Sequence, residues 1–222
     1  RDMEKIPPEE YRAYSELTAR AGNIWARAKR ENNYGLFAPV LKELISWNRK
    51  FAGYRAKEGQ KLYDVLLEDY ESGFTMEELD RFFGKLRAEI VPLLRQIQTK
   101  EPVDSSMIFR HYDVEKQKAF SHFLAGYLGF DFTRGVLAES EHPFTTSLHN
   151  EDVRITNHYY PENLESAIFS VIHETGHALY EAGNSEEVTM TPVGGGASMG
   201  MHESQSRMYE NVIGRSREFW VP

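Results

Sequence analysis

Two histidines, His173 and His177, stand four residues apart in VIHETGHALYEAG (171–183), with Glu174 directly after the first. On an α-helix such a pair lies about 40° apart, so both imidazoles leave one face and can share one ion. Glu174 follows at about 100° round, beside the pair rather than behind it. A carboxylate there can take a proton from a water activated by the ion. Around the same helix, Tyr180, Ser166 and Ser170 fall near the histidines, and Leu164, Ile168, Val171 and Leu179 fall opposite. That division predicts an apolar back for the core and an open front. The competing reading is a solvated helix face on which two histidines happen to align.

A hydrolytic zinc site usually has three protein ligands and leaves one position for water. Position 183 is glycine, which removes the pattern with a third histidine six residues after the second. A carboxylate from another helix is the other common solution, and Glu203 in MHESQSRMYEN fits it. Arg207 and Glu210 follow on its face at i+4 and i+7 and can orient it. Glu181 shares the first helix but points away, Glu187 sits in a loop, and His202 lies on a less polar face than its neighbour. If Glu203 is no ligand, it forms a surface ion pair with Arg207.

The composition narrows the chemistry. The 222 residues contain no cysteine, so any metal is held by histidines and carboxylates, and a reducing compartment suits the chain. Hydrophobic residues are 41% and charged residues 27%, an ordinary soluble globular balance. The formal charge of -8 speaks against nucleic acid as a partner. No stretch has the roughly 20 apolar residues of a membrane span, and no basic-then-apolar leader suggests export. The first residue is Arg1, which suggests a piece of something longer. There is no G-x-S-x-G to suggest a serine nucleophile. Gly194 to Gly196 lack the Lys-Ser/Thr ending of a phosphate loop, so they read as a hinge or close-approach loop.

The elements that must position these residues are mostly helical. One helix follows Pro7 and Pro8. A second has Pro39 in its first turn and Gly59 at its end. A third follows a capping box of Thr75 and Glu78, with Pro92 expected to kink or end it. A fourth starts from Asp113 as N-cap. Residues 142–160, HPFTTSLHNEDVRITNHYY, read as two short strands around a turn near Asn150. Pro161 opens the HETGH helix and Gly183 closes it, and MHESQSRMYENVIGRS returns to helix. The division expected is a helical region at 1–105 and a metal-site region at 106–222, together forming one continuous domain.

The ordered motifs HPF (142–144), DVRIT (152–156), HETGH (173–177) and HESQ (202–205) resemble the thermostable carboxypeptidases of the carboxypeptidase Taq type. GRSREFW and YDVLLEDYESG add to the likeness, which runs through most of the chain. The resemblance implies a mainly α, gluzincin-like metallopeptidase with a small β-hairpin or sheet beside the active-site helix. It implies release of single amino acids from peptides with a free C-terminus, in a homodimeric, cytoplasmic protein. Residue by residue, His173, His177 and Glu203 look like the ligands of one divalent metal and Glu174 like the catalytic glutamate. Zinc is expected, with cobalt or manganese possible. The HPF and DVRIT segments look like walls of the substrate groove, which makes His142 a substrate-binding candidate. Read from the residues themselves, Arg154 can hold a terminal carboxylate with two hydrogen bonds, or else pairs structurally with Asp152 or Glu151. Family members extend past both ends of this chain. The alternatives are a non-catalytic metal-binding helical fragment, and a zinc endopeptidase or aminopeptidase.

Overall fold

In a computed structural model, residues 3–221 are described, and they form two compact units divided between Leu93 and Leu94. The first unit is helical. Helix α1 (Pro8–Arg30) begins directly after Pro7, as a proline-led start allows, and pairs with α2 (Tyr34–Arg55). The pair is antiparallel: Tyr54 Oη donates to the Glu10 carboxylate, while Tyr14 meets Phe51 edge-on further along. Leu17, Ala21, Ala28, Phe51 and Ala52 fill the contact, and short α3 (Leu62–Leu67) adds Val65.

The prolines and glycines here differ from expectation. Helix α2 starts early enough that Pro39 lies inside it, past the first turn. It ends at Arg55, and Gly59, at φ +75°, serves the turn beyond. Thr75 and Glu78 do form a reciprocal capping box ahead of α4 (Met76–Gln98). Pro92 does not end α4. The carbonyl that loses its partner belongs to Ala88 on an exposed turn, where water can satisfy it.

The second unit holds the candidate site. Asp113 caps α5 (Val114–Tyr127), its side chain accepting from the Lys116 N–H. Three strands follow: β1 (Gly135–Glu139), β2 (Thr145–His149) and β3 (Asp152–Asn157). Their order is β1-β3-β2, with β1 parallel and β2 antiparallel to β3. The β2–β3 hairpin turns at Asn150, as its sequence suggests. Strand β1 is an addition: GVLAE has too few apolar residues in alternation to announce itself. Its leading glycine is needed, because a Cβ on Gly135 would lie 2.2 Å from the Val153 carbonyl oxygen.

Helix α6 (Leu164–Ala182) crosses this sheet. Asn163, not Pro161, caps it, accepting from the Ser166 N–H. Val153 and Ile155 of β3 meet Val171 and Ile172 of α6 in a core completed by Leu124, Ala125, Phe130 and Ala178. Helix α7 (Met199–Arg207) covers another side of α6, so the helix is enclosed more fully than a simple back-and-front division predicts. It continues into a wider π-helical turn (Met208–Ile213), and α8 (Arg217–Trp220) closes the described chain. Among the described residues, no helix is long and apolar enough to cross a membrane.

Candidate metal centre

Gly176 decides how closely α6 and α7 approach. A Cβ there would lie 2.8 Å from Ser206 Cα and 3.0 Å from the Gln205 carbonyl oxygen, both on α7. The close approach brings Glu203 of α7 against the histidine pair of α6. Glu203 Oε2 lies 3.5 Å from His173 Nε2 and 3.5 Å from His177 Nε2. Tetrahedral bonds of about 2.0–2.1 Å to a divalent ion would separate ligand atoms by roughly 3.3–3.4 Å. Two imidazole nitrogens and one carboxylate oxygen therefore fit such an ion in number, chemistry and spacing. Among the described residues this is the cluster of three whose ligand atoms all fall within 4.8 Å of one another.

Each of the three side chains is held from behind. His173 Nδ1 faces Glu210 Oε2 at 2.9 Å, and Glu210 is buried and also bonded by Arg207 and Arg215. His177 Nδ1 faces His202 Nδ1 at 2.6 Å, and His202 Nε2 faces Glu181 Oε1 at 2.6 Å. Glu203 Oε1 accepts from Arg207 Nε at 2.7 Å, and its Oε2 accepts from Ser206 Oγ at 3.0 Å. The π-helical turn delivers Glu210, a common role for such turns near functional groups.

These surroundings set the charge states. Burial, with the charges of His173 and His202, lowers the pKa of His177 from 6.5 to about 4, so its imidazole is neutral at physiological pH. Burial pushes Glu203 upward, but hydrogen bonds from Arg207 and Ser206 and the charge of His173 outweigh it and hold the pKa low. Burial likewise pushes Glu210 up, and its bonds to His173 and Arg215 reverse the effect. His177 and Glu203 are thus biased towards the neutral imidazole and the ionised carboxylate that metal binding requires.

Glu174 stands apart from the three-atom cluster. It is 6% exposed, and its Oε2 accepts a 2.6 Å hydrogen bond from Thr145 Oγ1 on β2. Burial raises its pKa, opposed by the Thr145 bond and by the charges of His173 and His142. A buried carboxylate whose proton affinity is raised in this way is suited to accept a proton.

The structure distributes the remaining candidates differently. His142 is exposed, and its charge reaches Glu174 although its Nδ1 is engaged with the Pro143 carbonyl at 2.6 Å. For Arg154 the structure shows the pairing with Asp152. Thr145 pairs directly with Ile155, so both lie on the sheet face toward α6, and alternation puts Arg154 on the other face. There its guanidinium grips Asp152 through two 2.8 Å hydrogen bonds. His202 lies behind His177 rather than beside its metal-facing nitrogen, and Glu181 supports His202. Glu187 is exposed beyond α6 and outside the cluster.

Sequence reasoning placed Arg207 and Glu210 around Glu203 but missed the reach of Glu210 to His173. It also missed Thr145. The only hint there was a strand shortly before the motif helix, and only pairing with β3 shows which face Thr145 occupies.

The paired helices, the His-His-Glu cluster and the adjacent buried glutamate define an HExxH metallopeptidase architecture. The chain belongs to the carboxypeptidase Taq (M32) metallopeptidase family, whose model matches residues 1–222. It is 42% identical over 222 residues to carboxypeptidase 1 of Bacillus subtilis (strain 168), covering 100% of this chain and 44% of that protein. It is 39% identical over 217 residues to thermostable carboxypeptidase 1 of Pyrococcus furiosus, covering 96% of this chain and 43% of that one. The BsuCP crystal structure superposes with a TM-score of 0.96 at 41% identity, covering 100% of this chain and 44% of that chain. The chain thus spans less than half the length of these relatives. The resemblance carried by HPF, DVRIT, HETGH and HESQ is borne out, as is the mainly helical fold with a small sheet beside the HETGH helix. Membership of a metallopeptidase family implies a divalent metal.

Proposed function

We propose that this chain contributes the catalytic metal centre of a carboxypeptidase acting on peptides with a free C-terminus. The convergence of His173 Nε2, His177 Nε2 and Glu203 Oε2 beside the buried Glu174 carries this reading. Zinc is the proposed ion, since two imidazoles and one carboxylate suit it, with cobalt or manganese as substitutes. Bound there, the ion would supply Lewis-acid polarisation of the scissile carbonyl and acidify a water. In the proposed roles, His173, His177 and Glu203 hold the ion. Glu174, oriented by Thr145, accepts the proton of the attacking water and returns it to the leaving amine.

His142, whose charge reaches Glu174, is proposed to face substrate at the mouth of this site. Arg154 is proposed instead to brace β3, because its fork is taken by Asp152. The proposed metal-site region, 106–222, falls within the second compact unit. Peptides as partners and a cytoplasmic homodimer for the whole protein extend the same reading and follow from the family likeness.

The test combines metal analysis with amino-acid release from peptides whose C-termini are free or amidated. Release from the free peptides alone, abolished by chelation and restored by zinc, is the expected result. Cleavage of both peptides at internal bonds would favour an endopeptidase. Bound metal with no release from any peptide would leave a metal-binding helical unit.

A further inference from the structure

We propose that His202 and Glu181 are positioning residues: they fix the tautomer of His177 and tie the glycine loop at 194–196 to the metal centre. The inference rests on the assignment of His177 as a ligand. A 2.6 Å separation between His177 Nδ1 and His202 Nδ1 requires one nitrogen to donate and the other to accept. For His177 Nε2 to offer its lone pair to an ion, the proton of that ring must sit on Nδ1. His202 Nδ1 is then the acceptor, and the proton of His202 sits on Nε2, donated to Glu181 Oε1. The reverse order would put a proton on His177 Nε2, where the ion belongs. A single ordering therefore satisfies every polar atom from Glu181 to the metal-facing nitrogen. His173 receives its carboxylate directly from Glu210, whereas His177 receives one through an intervening imidazole.

The same two residues seat the loop. Glu181 Oε1 also accepts from the Gly196 N–H at 3.1 Å, and Tyr180 Oη accepts from the Ala197 N–H at 3.2 Å. Gly196 packs so tightly that a Cβ would lie 2.4 Å from His202 Cδ2 and 3.1 Å from Tyr180 Cε1. Two residues on, Ser198 caps α7, the helix that carries both His202 and Glu203. Gly194 and Gly195 of the loop line a cavity of about 350 Å³ together with Thr145 to Leu148 of the edge strand β2. Glu181 and His202 line that cavity as well. The wall of the cavity and the orientation of a ligand thus depend on one buried carboxylate.

The test uses the intact protein carrying His202→Ala, His202→Asn, Glu181→Gln or Gly196→Ala. Readouts are zinc affinity by chelator competition, the visible spectrum of the cobalt form, hydrogen exchange at 191–198 and thermal unfolding without metal. His202→Ala should weaken zinc binding roughly 10- to 100-fold and alter the cobalt spectrum. His202→Asn, which can keep an acceptor for His177, should recover part of the loss. Gly196→Ala should displace His202 and act like a milder His202→Ala. Zinc should slow exchange at 194–197 in the parent and do so less in Glu181→Gln, whose amide oxygen accepts more weakly than the carboxylate. If His202→Ala does not fold, Gly196→Ala and Glu181→Gln carry the test. Parental zinc affinity and cobalt spectrum in folded variants, with a parent that binds zinc through His173 and His177, would overturn the positioning role alone. A parent that binds no zinc would overturn the ligand assignment itself.

Discussion

Thr145 Oγ1 donates to Glu174 Oε2 across 2.6 Å, joining the edge strand to the carboxylate beside the histidine cluster. The bond favours the ionised form and so opposes the upward push that burial gives the pKa of Glu174. Thr145→Val keeps the shape and removes the donor. The pKa of Glu174 should rise further. A base works only when ionised, so the acidic limb of the activity profile should move to higher pH in a protein that turns over peptide. Zinc affinity should stay at the parental level. A profile that does not move would show that Thr145 has no hold on the base.

Glu174→Gln and Glu203→Ala should separate base from ligand. Glu174 lies outside the three-atom cluster, so its variant should retain one metal per chain and lose hydrolysis. Glu203 Oε2 is one corner of the cluster, so its variant should lose tight binding. Metal analysis after dialysis checks both. Equal metal loss in the two proteins would mean that these roles are confused.

The helices and the histidine pair were legible because their signals are local. HETGH needs only helical periodicity, and the Thr75–Glu78 box and the Asp113 cap are settled within one turn of chain. Glu203 was reached by elimination and by its i+4 and i+7 neighbours. What stayed hidden depends on pairing between distant segments. Strand β1 exists because β3 accepts it as a parallel neighbour, and the face taken by Arg154 follows from the register of β2 on β3. His202 could not be told from a ligand until the α6–α7 approach showed which nitrogen of His177 it meets. Pro92 does not end α4, because the missing donor matters less where the orphaned carbonyl meets water.

Gly176→Ala tests the helix approach. The added Cβ would meet α7 backbone at 2.8 and 3.0 Å, distances that force one helix to move. Overpacking of this kind costs about 1–3 kcal/mol, so the unfolding midpoint should fall. Because Glu203 rides on α7, zinc affinity should fall with it. A variant with a lowered midpoint and parental zinc affinity would show that α7 can shift without carrying Glu203 away.

Acid should destabilise the metal-free protein in part through His177. Its folded pKa of about 4 lies below the ordinary 6.5, so in this interval the unfolded chain binds the proton more readily. The contribution is therefore complete above 6.5 and is lost as pH falls towards 4. Glu174, raised by burial, acts in the opposite sense, but it is present in both proteins of a comparison. Denaturant midpoints for the parent and His177→Asn should diverge less at pH 4.5 than at pH 7. A constant difference would mean that His177 is not held neutral by the fold.

Arg154→Lys distinguishes a brace from a substrate contact. Both fork positions of Arg154 are occupied by Asp152, on the sheet face away from Glu174. Lysine keeps the charge but cannot reproduce the two-point grip. A brace predicts a small drop in the unfolding midpoint with KM for a free C-terminal peptide unchanged. The pair is well exposed, at 51% and 38% for the two side chains, so that drop should shrink further in high salt. A raised KM with an unchanged midpoint would instead return Arg154 to the substrate's terminal carboxylate. That result would require the Asp152 pairing to open when peptide binds, which an Asp152→Asn variant with a lowered KM would corroborate.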